Sequence, residues 1–182
     1  MKLSRVKGLC AAMGTIVALK CQTGLDINTW IGDGVGLYPV RTVDITAEMA
    51  MKIWELDPEK VVARELDQNA GELPGILASL PIVVDMDNQP TYEVCDIGIY
   101  KMLYDRETEH SCIIDARHLA PIASKYRTFM KVEGKNLVAV YSEGELDGIL
   151  ACDKWTRNMS EQMEEIARIY HREKDEAEGG AS

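Results

Sequence analysis

CIIDARHLAPIASKYRTFMKVEGKNLVAVYSEGELDGILACD, residues 112–153, decides the fold. Ile113 and Ile114 make a short extended apolar run that ends at Asp115, whose carboxylate can accept from the open N–H groups of a helical turn that follows. Leu119, Ile122, Ala123 and Tyr126 then recur at i, i+3, i+4 and i+7, so the spacing predicts a helix with one apolar stripe. Arg117, His118, Ser124, Lys125 and Arg127 fall largely off that stripe. Pro121 cannot donate to the carbonyl of Arg117, which predicts a kink or an irregular first turn. Thr128–Glu133, Asn136–Tyr141 and Leu146–Cys152 follow as three strands, rich in β-formers and parted by Gly134 and Gly144. The reading is a β-α-β-β-β unit ending in an antiparallel meander. A helix on one face of such a sheet gives an α+β layered architecture.

Towards the N-terminus the same order recurs. Ser4 reads as an N-cap, Val6, Leu9, Cys10 and Met13 mark one helical face, and Gly14 supplies the stop. Thr15–Cys21, Ile27–Ile31 and Val35–Val40 read as strands, the last two joined by a tight hairpin at Gly32-Asp33-Gly34. Thr46 caps a helix over Ala47–Leu56, with Met49, Ile53 and Leu56 as its apolar set, widened by Ala50 and Trp54. Glu48, Lys52 and Glu55 form the opposite face. ITAEMA (45–50) echoes IDARHLA (114–120) as extended run, capping residue and short helix, an internal repeat of pattern with slight identity. Val61–Leu66 reads as a strand or a helix extension, Asp67–Gly75 as a loop or boundary, and Tyr92–Tyr104 accepts either strand or helix. The chain therefore divides into an α+β domain over 1–152, carrying an insert at about 67–111, and a tail over 153–182.

The tail differs in kind. From Asp153 to Asp175 it reads as one helix whose Trp155, Met159, Met163, Ile166 and Tyr170 form an apolar seam close to heptad spacing. Such a seam packs on its own domain or docks a partner helix. Residues 176–182 read as frayed.

With 182 residues, 46% hydrophobic and 27% charged, the chain has the composition of an ordinary globular protein. No apolar run reaches the ~18–20 residues of a membrane helix, and no apolar signal core precedes a cleavage site, so the expected location is the cytoplasm. Cys10, Cys21, Cys95, Cys112 and Cys152 are odd in number and scattered, which points to reduced, mostly buried thiols. His110, His118 and His171 share no metal-ligand spacing with one another or with the cysteines, so no zinc site is expected. His118 reads as a solvated histidine on a basic face. Gly32-Asp33-Gly34-Val35-Gly36 lies between strands and reads as a hairpin rather than a phosphate cradle. Asp85/Asp87 and Glu143/Glu145 sit in polar turns where carboxylates serve solubility. No residue set nominates an enzyme, and no cofactor is implied.

A net charge of −10 excludes a wholly basic nucleic-acid binder but not a local basic face. Arg5 and Lys7 on the first helix, Lys52 on the second, and Arg117, Lys125 and Arg127 on or just after the third place cations on helices that could share one side of a sheet. Such residues contact phosphates without reading bases. An ordinary wet helix face would look similar, and Glu48 and Glu55 fit that alternative.

TWIGDGVGLYPV (29–40) running into VDITAEMAMKIWEL (43–56), together with residues 112–153, resembles the phage- and mobile-element-encoded relatives of the bacterial DNA sliding clamp, the processivity subunit of the replicative polymerase. The resemblance covers roughly half the chain and rests on patterns of fold. It implies clamp-like domains whose helices face duplex DNA, subunits joined through sheet edges into a homo-oligomeric ring, and a polymerase or other replication protein as partner. On that basis Arg5, Lys7, Lys52, Arg117, Lys125 and Arg127 would meet the DNA backbone. The chain is shorter than a three-domain clamp subunit, and the tail helix lies outside the pattern. Two other readings stand beside it: an assembly module that dimerises through the tail seam, and an enzyme on an α+β scaffold.

Overall fold

Gly14, in a left-handed conformation with its N–H bonded to Cys10 O, ends the first helix and turns the chain into the first strand. The computed structural model describes residues 2–23, 26–41, 43–66, 71–84, 92–105, 110–122, 124–152, 169 and 172. In chain order the elements are α1 (Leu3–Met13), β1 (Thr15–Thr23), β2 (Asp26–Gly32), β3 (Gly36–Val40), α2 (Ala47–Ile53), β4 (Val62–Leu66) and α3 (Leu73–Ser79). They continue with β5 (Glu93–Ile97), β6 (Tyr100–Asp105), β7 (His110–Asp115), a 3₁₀ turn (Ala116–Leu119), β8 (Arg127–Lys131), β9 (Leu137–Ser142) and β10 (Glu145–Ala151). The architecture is α+β, as the sequence predicts.

Seven strands form one sheet in the order β4-β1-β2-β3-β10-β9-β8, and β5-β6-β7 form a second. The large sheet is two antiparallel meanders laid edge to edge. In the first, Leu19 faces Trp30 and Ile31 faces Tyr38; in the second, Phe129 faces Val140 and Ala139 faces Ile149. The third strand of each meander meets the other, antiparallel, with Leu37 opposite Ile149 and Gly36 opposite Leu150. A helical segment precedes each meander, α1 before β1 and the 3₁₀ turn before β8. An approximate two-fold relation in connectivity therefore runs through the β3–β10 seam. The sheet is not purely antiparallel, because β4 joins β1 in parallel, Ile16 opposite Ala63.

Strand alternation sends successive side chains to opposite faces, and both faces are covered. Ile16, Ala18, Tyr38, Val138 and Val140 point into a core closed by Val6 and Cys10 of α1, Ala47 and Ala50 of α2, Leu103 and Ile114 of the smaller sheet, and Leu119 and Ile122. Val17, Leu19, Trp30, Ala139 and Tyr141 point the other way, onto Leu77 of α3 and Val84. Among the described residues no helix is long and apolar enough to cross a membrane.

Several expectations are corrected. Lys2, not Ser4, precedes α1, in an extended conformation and with no side-chain cap. Thr46 does cap α2, accepting from Met49 N–H. That helix, however, ends at Ile53 and turns only part of the expected set inward: Ala50 is buried and Trp54 and Leu56 pack on the core, joined by Ala47 and Met51, while Met49 and Ile53 are 47% and 64% exposed. The small alanines let the helix axis approach the sheet more closely than a methionine–isoleucine stripe would. The helix expected beyond Asp115 is a single 3₁₀ turn, and Tyr126 is 78% exposed. Pro121 has no N–H to continue an α-helix, and its carbonyl is taken by Lys2 N–H at 2.6 Å. Residues 92–104, read as either state, are the hairpin β5–β6, and α3 begins inside the stretch 67–75 expected to be a loop. Of the tail helix predicted over 153–175, Ile169 and Arg172 are described and helical, whereas Trp155, Met159, Met163, Ile166 and Tyr170 lie outside the described residues.

Candidate functional site

The seam between the meanders is held by polar contacts as well as ladder bonds. Asp33, in the turn entering β3, accepts at Oδ1 from the N–H groups of Val35 at 3.0 Å and Gly36 at 2.9 Å. Its Oδ2 lies 2.8 Å from His118 Nε2, on the 3₁₀ turn that precedes the other meander. Both side chains are almost wholly buried. Tyr38 completes the group, its hydroxyl donating to His118 O at 2.6 Å. Burial alone would raise the Asp33 carboxyl. The His118 hydrogen bond, the Gly36 and Val35 N–H groups and the His118 charge outweigh burial and hold the carboxyl below its ordinary range. Burial beside Asp33 pushes up both the Tyr38 hydroxyl and the Cys10 thiol, the latter to about 12. His118 is thus corrected from a solvated histidine to a buried one.

Further along the seam Arg41, just beyond β3, pairs with Glu145 and donates through Nη2 to Leu146 O at 2.7 Å. Ala151 N–H donates to Val35 O at 2.7 Å. The hairpin at Gly32-Asp33-Gly34 is as the sequence predicts, but the partner of Asp33 is 85 residues away. Only an aspartate in a strand-to-strand turn, where a buried carboxylate can cap N–H groups, hinted at the site.

The six cations predicted to meet DNA separate into two sets. α1, α2 and the 3₁₀ turn cover the same face of the large sheet, so Arg5, Lys7, Lys52 and Arg117 belong to one side of the molecule. The Lys2 N–H to Pro121 O bond sets the start of α1 against the segment that leads to Lys125. Among the described residues Arg5, Lys7, Lys52 and Lys125 make no ion pair, and all but the half-buried Lys7 are exposed. Arg117 is exposed but clasped by Asp115, which accepts from Nε at 2.8 Å and from Nη2 at 2.5 Å. Arg127 is on β8, half-buried, with Nη2 donating to Ile122 O at 3.1 Å and Nε buried without a partner. Burial lowers its guanidinium from the usual range. Arg117 is therefore engaged locally by Asp115 at the surface, and Arg127 is committed within the fold.

Ser124, Ser142, Glu143, Glu145 and Asp147 line an open cleft of about 480 Å³ beside the β9–β10 hairpin. Glu145 is taken by Arg41, and Glu143 accepts from Ser124 Oγ at 3.2 Å. These carboxylates are thus engaged in structural contacts, whereas Asp85 and Asp87 lie outside the described residues. Among the described residues no group of three or more His, Cys, Asp or Glu side chains is placed to hold a metal ion. No family model, curated protein or solved structure compared with the chain matches it.

Proposed function

We propose that the chain is a non-enzymatic, clamp-like module that holds duplex DNA by its phosphate backbone, in the replication of phage or mobile-element DNA. The observation that carries the reading is the edge-to-edge pairing of two helix-then-meander units, with α1, α2 and the 3₁₀ turn over one face of the joined sheet. The contact set is narrower than the sequence alone suggests. Arg5, Lys7, Lys52 and Lys125 meet phosphates, while Arg117 is engaged by Asp115 and Arg127 holds the fold. An acidic chain suits this arrangement, because repulsion from its acidic surfaces favours a face that carries unpaired cations. On this reading the partners are duplex DNA, a polymerase or other replication protein, and further copies of the chain.

Fluorescence anisotropy with a labelled duplex over a salt series tests it. Four phosphate contacts give a slope of log K against log salt of about −3 to −4, independent of duplex sequence. Arg5→Glu combined with Lys52→Glu lowers low-salt affinity by about tenfold or more, a loss of ~1.4 kcal/mol. Unchanged affinity in that variant, or no binding by the wild-type chain at low salt, would sink the reading.

A further inference from the structure

Two of the groups that line the open cleft beside the β9–β10 hairpin have no partner in the fold. Asp147, half-buried, makes no hydrogen bond or ion pair among the described residues. It is the extra residue of a bulge: Leu146 stands opposite Tyr141 and Gly148 opposite Val140, so Asp147 is left out of the ladder. Ser142 is only 7% exposed, and its Oγ is buried without a partner. Val138 and Val140 face the core on the α1 side, and alternation sends the Ser142 side chain to that face too. Glu145 stands directly opposite Ser142, so the hydroxyl is aimed to the same side as a carboxylate that walls the cleft. Glu145 itself is neutralised by Arg41, while Glu143 accepts at Oε1 from Ser124 Oγ at 3.2 Å and has its other oxygen open. Arg127, opposite Ser142 on β8, directs Nη2 to the carbonyl of the buried Ile122. Against that one charge stand Glu143 and Asp147, so the cleft is net negative and rich in acceptors.

We propose that the cleft binds a primary alkylammonium group, carried by a free polyamine or by a lysine side chain. The carboxylates are not gathered to hold a metal ion, whereas an ammonium brings a positive charge and three N–H donors that can diverge to separate acceptors. It donates to Asp147, to the open oxygen of Glu143 and to Ser142 Oγ, which gives the buried hydroxyl the partner that the fold withholds. Val83 supplies the apolar side of the site. It bridges to Glu145, which sets its side chain beside that carboxylate, and it is 68% exposed, a surface against which methylene groups can lie.

The test titrates the full chain with putrescine, for the free amine, and with Nα-acetyl-lysine methylamide, for the side chain, and follows the backbone amides by NMR. Tetramethylammonium at equal ionic strength is the control. The amides of residues 142–147 should shift saturably, with a dissociation constant of roughly 1 mM or tighter for the better probe. Which probe binds better tells which source carries the ammonium. Asp147→Asn should weaken that binding by about tenfold, since it removes a charge-assisted bond. Ser142→Ala should weaken it by about threefold and leave the Tm unchanged or raised, because the hydroxyl it removes has no partner in the free protein. The absence of a saturable shift with either probe up to ~10 mM overturns the proposal. So does an equal response to tetramethylammonium, which has no N–H to donate, or unchanged affinity in either variant. The wild-type titration decides the matter even if a variant does not fold.

Discussion

Asp33 gives up its solvent on folding and receives two backbone N–H groups and His118 in return. Its folded carboxyl binds a proton less readily than the unfolded chain does, since it lies below the ordinary value of 3.8. The pair's contribution to stability is therefore fully present above about pH 4 and is lost as pH falls through the depressed folded value. Asp33→Asn keeps the acceptor for Val35 and Gly36 but loses the charge facing His118. We expect it to cost about 1–3 kcal/mol at neutral pH and to flatten the acid limb of stability, measured by urea unfolding from pH 3 to 7. His118→Ala leaves a carboxylate buried without its main partner and should cost more, about 3–5 kcal/mol. A cost for His118→Ala no greater than that for Asp33→Asn would count against His118 as the main partner of the buried carboxylate. Neither residue could be paired from the sequence: a lone histidine beside an arginine looks solvated until the seam brings Asp33 to it.

At the scale of elements, the β3–β10 seam is narrow, with two ladder pairs and the side-chain ties around them. A Cβ at Gly36 would lie 2.5 Å from Tyr38 Oη and 2.9 Å from Leu150 Cδ2, so Gly36→Ala forces apart the residues that close it. The expected loss is roughly 1–3 kcal/mol with no change in secondary structure, read by thermal unfolding followed by circular dichroism. α2 offers a sharper comparison. Ile53→Ser should lie within about 0.5 kcal/mol of wild type, because the side chain is mostly exposed. Ala50→Leu overpacks a buried site and should cost about 1–3 kcal/mol. A stripe built on Met49 and Ile53 would give the opposite result. The strands of both meanders were legible because alternation and glycine turns mark them locally, as at Phe129 to Val140. The helices were less so. In α2 two alanines decide which face is buried, and hydropathy spacing gives large side chains more weight. After Asp115 the apolar spacing was right for a helix, but Pro121 and the claim of Lys2 on its carbonyl stop one forming.

For the whole molecule, the clamp-like reading makes a statement about assembly. β4 and β8 are the two ends of the large sheet, and β4 exposes Val62 and Leu66. A ring would pair the β4 edge of one copy with the β8 edge of the next, head to tail, which closes only at a fixed number of copies. Light scattering over a range of protein and salt concentrations should then find one closed higher-order species. A monomer, or a dimer that dissociates on dilution, would leave the proposed DNA contact to act without encirclement. The seam also bears on how the protein is made. Arg41 reaches Glu145 across 104 residues of chain, and Tyr38 reaches His118 across 80. At about 5–20 residues per second, a ribosome exposes the first meander for roughly 5–20 s before β10 exists to cover its edge. Through that interval β3 is an open template on the nascent chain. Synonymous changes that slow translation between residues 41 and 145 should therefore lower soluble yield without altering the finished protein, and a holdase that binds extended segments should restore it.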